Sequence, residues 1–239
     1  MDTFLFDLDG TLLPMPSLDL FLKEYFNALS KKLTAYGIDS QLLMKGIYAG
    51  IGAMVENDGS MSNQQRFWHA FCNIMGEEAR NLEPVFDDFY RNEFAQAKTA
   101  THKNPKAALC ISILKEKGYH VALATNPLFP RVATHTRMQW AGLDVNDFDL
   151  ITTYENSSYS KPNLKYYEEI ISALGKKACD CIMVGNDIDE DMCAAKLGMD
   201  TFLLTDCLIN SSNADITDYK KGNFDNLLDF IKHLPDIGQ

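Results

Sequence analysis

The stretch FLFDLDGTLL, residues 4–13, decides how the rest of the sequence is interpreted. Its apolar residues are typical of a buried strand, yet it carries two acids two positions apart, Asp7 and Asp9. Side chains at i and i+2 of a strand point to the same side, so both carboxylates leave the strand end together. A fold rarely tolerates such a pair at the end of a buried strand, which makes this end a candidate functional site.

The composition is that of an ordinary globular protein with an excess of acids. The 239 residues are 46% hydrophobic and 23% charged, and the net charge is −11. Nucleic acid is usually bound by a surface rich in Lys and Arg, so nucleic-acid binding is not expected. No apolar run is long enough to span a bilayer, and Asp2 stands where a signal peptide has positive charge. We therefore expect a cytoplasmic protein without a membrane partner, and a monomer.

Helical and extended patterns alternate from about residue 105 onward. Amphipathic helices are predicted at 104–118, 131–142, 163–175 and 189–198, and apolar strands at 119–125, 148–154, 180–185 and 200–205, the last being the final strand. Strands separated by helices of this length predict βαβ units. The expected fold class is therefore α/β, with a Rossmann-like doubly wound parallel sheet to which FLFDL also belongs by composition.

Residues 15–100 show a different pattern. Apolar residues recur there at three- and four-residue spacing, and no strand pattern is present. We predict an α/β core domain formed by residues 1–14 and 101–239, and an all-helical domain of residues 15–100 inserted after the first strand. This second unit is called the helical insert below.

Two features of the helical insert are predicted to serve packing and not ligand binding. The glycines of GIYAGIG, residues 46–52, lack the preceding strand and the third glycine of a pyrophosphate-binding turn, so close helix approach explains them better. The aromatic cluster of Phe67, Trp68 and Phe71 is likewise expected in a core.

Polar residues follow several predicted strands at the point where each strand ends. In parallel α/β sheets the carboxyl ends of the strands form the crevice where ligands bind, so these residues should meet there. They are Asp7, Asp9, Thr125, Asn126, Lys161 and Asp187, with further acids at 189–191. Asp189 and Glu190 are better explained as partners of a helix dipole than as part of this site.

Several carboxylates around one lysine require a further cation. Mg²⁺ prefers one or two carboxylates together with water and substrate phosphate oxygens, which fits these residues. A carboxylate that attacks a phosphate dianion at about 3.5 Å meets a repulsion on the order of 10 kcal/mol at an effective dielectric near 20. Lys161 would offset only part of this repulsion, and a divalent ion bridging the two groups would remove most of it.

The motifs FDLDGTLL, ATN, SKPN and VGNDIDED, in this order and with a helical insert after the first, resemble the haloacid dehalogenase superfamily of phosphohydrolases. The resemblance spans essentially the whole chain. The helical insert resembles that family's cap in the C1 position. The resemblance implies an enzyme that hydrolyses a small phosphorylated metabolite, a phosphate monoester, through an aspartyl-phosphate.

The resemblance also implies roles for the strand-end residues. Asp7 would be the nucleophile, and Asp9 would protonate the leaving oxygen and later activate water. Lys161 would stabilise charge on Asp7 and the substrate. Thr125 and the N–H of Asn126 would bind phosphate oxygens.

Gly10, beside the two acids, is assigned to the same phosphate site. Mg²⁺ would be held by Asp7, by the backbone carbonyl of Asp9 and by Asp187. Asp191 would lie nearby and orient the ion or its waters.

Alternatives remain open at this point. A receiver-type signalling domain also uses a phosphorylated Asp, but it is much shorter and lacks a helical cap and the second acid. A haloacid dehalogenase needs no leaving-group acid, so Asp9 argues against it. A phosphosugar mutase shares every motif, and the sequence does not separate it from a phosphatase. The substrate is not predicted either, because the residues of the helical insert and of the loop after Gly10 that would select it follow no readable pattern. The arginines of the insert, Arg66, Arg80 and Arg91, are each expected on the surface.

Overall fold

The computed structural model of the protein describes residues 1–237 and confirms the parallel α/β fold. Within these residues the strands form one six-stranded sheet in the order β3-β2-β1-β4-β5-β6, and every pairing is parallel. The strands are β1 Thr3–Phe6, β2 His120–Leu123, β3 Leu150–Ile151, β4 Cys181–Gly185, β5 Asp200–Leu204 and β6 Lys221–Gly222. The first strand therefore lies inside the sheet, between β2 and β4.

The helices are α1 Leu18–Thr34, α2 Ser40–Val55, α3 Asn63–Met75, α4 Glu83–Arg91, α5 Pro105–Glu116, α6 Arg131–Ala141, α7 Leu164–Leu174 and α8 Phe224–Lys232. Short 3-10 helices cover Glu77–Leu82, Glu93–Ala100, Val145–Asp147, Ala178–Asp180 and Met192–Leu197. Within residues 1–237, none of the helices combines the length and the apolar character needed to cross a bilayer.

Both faces of the sheet are covered, as the continuous apolar pattern of β1 requires. Phe4 and Phe6 pack into one apolar cluster with α5 and α8, whereas Leu5 packs into a second cluster with α7. All three side chains are fully buried. Burial of each such side chain contributes about 1.5–3 kcal/mol relative to exposure, so β1 is a major source of stability.

Helices α1 to α4 of the helical insert lie between β1 and β2 in the chain, as predicted. Helix α3 begins with a capping box in which Ser62 and Gln65 satisfy each other's backbone N–H groups. Gly46 and Gly50 of α2 face α3, where a Cβ on Gly50 would clash with the ring of Phe67. The prediction that the glycines of GIYAGIG serve close helix packing is confirmed for Gly46 and Gly50 but not for Gly52, around which a Cβ would meet nothing.

The helical insert shares one continuous apolar cluster with the α/β part of the chain. Phe94 stacks on Trp140 of α6 with ring centroids 5.0 Å apart. Phe21 of α1 packs edge-on against Phe129 at 6.4 Å. The predicted domain boundaries at 14/15 and 100/101 stay a prediction, and the last two residues of the predicted core, 238 and 239, lie outside the described residues.

The start of α3 is tied to the loop that follows β3. The backbone N–H of Asn63 donates to the carbonyl of Ser157 at 2.8 Å, and that of Gln64 donates to the carbonyl of Tyr154 at 2.7 Å. The side-chain amide of Asn63 also donates to the carbonyl of Pro127 at 3.2 Å. These bonds fix one end of the helical insert on the loops that carry the candidate site.

Two predictions about the C-terminal half were wrong. The strand predicted at 200–205 is not the final one, because β6 and then α8 follow it. β6 has only two residues, too few to show an alternating pattern. The helix predicted at 189–198 is a 3-10 helix over Met192–Leu197. Its predicted first residues form a turn instead, since Asp187 Oδ1 accepts hydrogen bonds from the N–H groups of Asp189 and Glu190.

Candidate active site

The carboxyl ends of the strands open into one cavity of about 410 Å³. Seven of the predicted residues line it: Asp7, Asp9 and Gly10 after β1, Thr125 and Asn126 after β2, and Asp187 and Asp191 after β4. Lys161 reaches the same place, with its Nζ atom 2.9 Å from Asp7 Oδ1. The structure therefore brings together the residues that the sequence placed at separate strand ends.

Gly10 turns the chain directly after the acids. Its φ is +84°, a conformation that side chains rarely adopt, and a Cβ there would clash with Asn186. Its N–H donates to the carbonyl of Leu13 at 2.9 Å. Gly10 lines the cavity, but because this N–H is already used in the turn, its predicted phosphate contact does not involve that group.

Lys161 lies buried between two carboxylates. Its Nζ atom is 2.9 Å from Asp7 Oδ1 and 2.6 Å from Asp191 Oδ1. Burial alone would lower the pKa of Lys161, but Asp191 and Asp7 outweigh it and hold that pKa well above its ordinary value. Lys161 is therefore a permanent positive charge beside the first acid of the motif.

Asp191 is buried and uses both carboxylate oxygens within the protein. Oδ1 accepts from Lys161, and Oδ2 accepts from the backbone N–H of Asp187 at 3.0 Å. Burial raises the pKa of Asp191 to about 6, with Lys161 opposing the shift. A side chain on Gly185 would occupy the place of this carboxylate, which explains the glycine at the end of β4.

Arg137 is a site residue that the sequence did not reveal. It lies on α6, is 1% exposed, and forms an ion pair between its Nη1 atom and Asp9 Oδ2. Its guanidinium also stacks on the ring of Phe129, 4.3 Å from the centroid. The only available indication was that Arg137 shares a helix face with Ala133 and Ala141, both of which are buried.

Desolvation of its carboxyl raises the pKa of Asp9 above the ordinary aspartate value, and Arg137 opposes this shift. The second oxygen, Oδ1, is buried without a hydrogen-bond partner among residues 1–237. A carboxyl group that lines a cavity and has a raised pKa can hold a proton and pass it to a bound molecule. The geometry of Asp9 thus suits proton transfer.

Hydrogen-bond donors suited to an anion surround the two acids. Within residues 1–237, the backbone N–H groups of Asp9 and Asn126 and the hydroxyl of Thr125 make no hydrogen bond to the protein. The carbonyl of Thr125 is held by Thr152 Oγ1 at 2.7 Å and by the hydroxyl of Tyr166 at 2.8 Å. The segment after β2 is therefore held in place, while the hydroxyl of Thr125 and the N–H of Asn126 remain free to bind an anion.

Glu190 was predicted to interact with a helix dipole, but its carboxylate contacts the candidate site instead. The side-chain amide of Asn126 lies 3.1 Å from both carboxylate oxygens of Glu190. The side chain of Asn126 also accepts from the backbone N–H of Lys161 at 3.3 Å. Burial raises the pKa of Glu190 to about 7. Asn126 is thus held in place from two sides, and the dipole explanation does not describe Glu190.

The oxygen atoms at the strand ends fit a hard divalent cation. Asp7 and Asp187 both line the cavity, and each has one carboxylate oxygen without a hydrogen-bond donor among residues 1–237. The carbonyl of Asp9 likewise accepts no hydrogen bond there. In the same part of the chain, no three His, Cys, Asp or Glu side chains converge on one point. Two carboxylates and a carbonyl, completed by water and substrate oxygens, are what Mg²⁺ requires.

The chain belongs to the haloacid dehalogenase-like hydrolase family, whose model matches residues 1–198. The glyceraldehyde 3-phosphate phosphatase of Methanothermobacter thermautotrophicus is 25% identical over 210 residues, covering 79% of this chain and 88% of that protein. The ribulose-1,5-bisphosphate 5-phosphatase of Halopiger xanaduensis is 24% identical over 208 residues, covering 83% and 82%. The protein is accordingly an enzyme of the hydrolase class.

Solved structures of both phosphatases and dehalogenases share this fold. The structure of a HAD phosphatase from Thermococcus onnurineus aligns with a TM-score of 0.60 at 20% identity, covering 99% of this chain and 100% of that one. A 2-haloacid dehalogenase from Pseudomonas syringae aligns with a TM-score of 0.63 at 15% identity, covering 97% and 99%. The fold alone does not choose between the two reactions, so the choice depends on the site.

Proposed function

We propose that the protein is a Mg²⁺-dependent phosphatase that hydrolyses the phosphate monoester of a small metabolite through an aspartyl-phosphate at Asp7. The observation that carries the proposal is the pair of acids in one cavity. Asp7 contacts the buried cation Lys161, and Asp9, two residues on, has a raised pKa. A nucleophile beside a cation and an acid able to exchange a proton are the two groups that this reaction needs.

In the first half of the reaction, a carboxylate oxygen of Asp7 attacks phosphorus while the bond from phosphorus to the ester oxygen breaks. The electron pair of that bond stays on the leaving oxygen, which takes the proton of Asp9. The N–H groups of Asp9 and Asn126 and the hydroxyl of Thr125 bind the phosphoryl oxygens. Lys161, paired with Asp7, offsets negative charge as the phosphoryl group transfers.

In the second half, Asp9 has lost its proton and acts as the base. It takes a proton from a water molecule that attacks the phosphorus of the aspartyl-phosphate, and the bond from phosphorus to Asp7 breaks. Inorganic phosphate leaves and Asp9 is protonated again. Mg²⁺, held by Asp7, Asp187 and the carbonyl of Asp9, would neutralise charge between nucleophile and phosphate when bound.

The site favours a phosphatase over a dehalogenase. A halide leaves without a proton, so a dehalogenase has no use for the proton that Asp9 is placed to give. The curated relatives described above are named as phosphatases, which supports the same choice. The helical insert would act as the cap that covers the substrate, and the segment at residues 12–21, which runs into the start of α1, would serve as its hinge.

The test measures phosphate release from 4-nitrophenyl phosphate and from a panel of phosphorylated metabolites, with Mg²⁺ or with EDTA. A phosphatase releases inorganic phosphate only when Mg²⁺ is present. A mutase would interconvert sugar phosphates without net release, and a receiver-type domain would take up one phosphoryl group without turnover. Either of the last two results would overturn the proposal.

A further inference from the structure

The cavity has a second half that the catalytic residues do not occupy. Besides the acids, it is lined by apolar side chains of the helical insert and of the loop before α6. Representative wall residues are Leu22, Phe26, Ile47, Phe67, Phe86 and Phe129. A phosphate group fills only a small part of about 410 Å³, so this half faces the alcohol part of the ester.

No side chain of Lys, Arg or His lines this cavity within residues 1–237. Lys161 and Arg137, which lie behind the acids, are buried and bound to them. In the helical insert, Arg66 pairs with Asp58 and Arg80 pairs with Glu83. A second anionic group on the substrate would therefore find no counter-ion among the lining side chains.

Asp87 adds negative charge to the same half. It lines the cavity from α4, is partly buried, and makes no hydrogen bond or ion pair within residues 1–237. An anionic substituent brought against this carboxylate in an apolar cavity would lose its hydration and meet like charge. Asp87 thus acts against substrates that carry a carboxylate or a second phosphate.

Besides Asp87 and Glu83, the polar side chains that line the cavity from the helical insert are neutral. The hydroxyls of Tyr25 and Tyr90 lie 2.9 Å apart. Burial raises the pKa of Tyr25 to about 12 and that of Tyr90 well above its ordinary value, so both stay protonated. The indole N–H of Trp68 is buried and has no hydrogen-bond partner within residues 1–237. These groups suit an uncharged substrate with one or two polar atoms.

We infer that the substrate is the phosphate monoester of a bulky, largely apolar, uncharged alcohol, and that the cavity rejects esters with a second anionic group. This inference rests on the proposed phosphatase function and names the substrate class for it. It also separates this chain from its halophilic relative, whose name specifies a bisphosphate. The two enzymes would share the residues that bind the phosphate group, and they would differ in the residues that face the rest of the substrate.

The test compares three primary alkyl esters with Mg²⁺: ethyl phosphate, 2-phenylethyl phosphate and 2-(4-carboxyphenyl)ethyl phosphate. Their leaving alcohols are all primary, so differences in kcat/KM report on the apolar half of the cavity. We expect 2-phenylethyl phosphate to exceed ethyl phosphate by about 10- to 100-fold, because a phenyl group is buried. The carboxylated ester should fall at least about 10-fold below the phenyl ester, since its charge is desolvated without a partner.

A substitution at Asp87 tests whether this side chain causes the discrimination against the carboxylated ester. Asp87→Asn should bring the kcat/KM of the carboxylated ester several-fold closer to that of the phenyl ester. Glu78→Gln makes the same charge change on an exposed residue of the helical insert away from the cavity, and should leave the ratio unchanged. Equal shifts in the two variants would overturn the role of Asp87.

The wild-type measurements decide the inference even if a variant fails to fold. Similar kcat/KM values for the three esters, or a preference for the carboxylated ester, would overturn the substrate class while leaving the phosphatase in place. If neither these esters nor 4-nitrophenyl phosphate released phosphate, the phosphatase and the substrate class would fall together.

Discussion

Buried Arg137 and partly buried Asp9 form an ion pair that joins helix α6 to the loop after β1. The pair spans 128 residues of sequence. Arg137 touches the second acid of the motif and not the first, which is paired with Lys161 instead. Each of the two acids therefore has its own buried cation, and the two carboxylates are held in different electrostatic environments.

The first prediction concerns Arg137 as a positioning residue. Arg137→Met should lower kcat for ethyl phosphate by about 10- to 100-fold, because an unanchored Asp9 protonates the leaving oxygen poorly. The loss should be much smaller for 4-nitrophenyl phosphate, whose leaving group needs no proton, and KM should change little. Arg137→Lys should restore part of the activity.

The controls for Arg137 separate positioning from folding. Removing one partner of a fully buried ion pair costs about 3–5 kcal/mol, and less when the other partner is partly exposed as Asp9 is, so the free energy of unfolding is measured beside the kinetics. Arg131→Met removes the same charge from an exposed position on α6 and should behave like wild type. Equal losses on both esters would show that Arg137 does not act through Asp9.

The second prediction is that Asp7→Asn abolishes turnover and the labelled aspartyl-phosphate, because the amide cannot attack phosphorus as the carboxylate does. Binding of inorganic phosphate, measured by calorimetry with Mg²⁺, should persist. Asp2→Asn is the matched control, since Asp2 pairs with Lys176 outside the cavity. Ordinary turnover in Asp7→Asn would refute the nucleophile assignment.

A third prediction addresses the metal. EDTA should remove activity and added Mg²⁺ should return it, because repulsion between Asp7 and phosphate is otherwise too large. Asp187→Asn should raise the Mg²⁺ concentration for half-maximal activity by at least about 10-fold. Asp189→Asn, an exposed neighbour, should leave that concentration unchanged. Full activity in EDTA would mean that the free oxygens of Asp7 and Asp187 serve another purpose.

Much of the catalytic half of the site was predictable from the sequence. Asp7, Thr125 and Asp187 follow short apolar strands, and a parallel sheet necessarily brings such positions to one edge. Lys161 also reaches that edge, because the loop after β3 ends beside β1. The prediction needed only strand periodicity and topology, both of which are local or general properties.

The remaining features depend on contacts that no local pattern encodes. Arg137 becomes a site residue only because α6 packs beside the loop after β1. Phe67 and Trp68 were predicted as core residues, and they are buried, but they also line the cavity. The sequence pattern of an apolar residue does not show whether the residue faces another helix or a ligand cavity. The apolar lining of the cavity was therefore not predicted.

The fourth prediction concerns the attachment of the helical insert through Asn63. This side chain is fully buried, and its amide contacts Pro127, Ser160 and the side chain of Asn57. Asn63→Ala should reduce the free energy of unfolding by about 1–3 kcal/mol, because polar partners are left buried without a hydrogen bond.

Because Asn63 joins α3 to the loops carrying Asn126 and Lys161, its loss should also raise KM for 2-phenylethyl phosphate, as the apolar wall would no longer be held over the acids. Urea unfolding and steady-state kinetics measure the two effects separately. Asn73→Ala, on the exposed face of α3, is the matched control and should change neither. A variant at Asn63 that lost stability with an unchanged KM would show that the insert keeps its place over the acids through its apolar contacts alone.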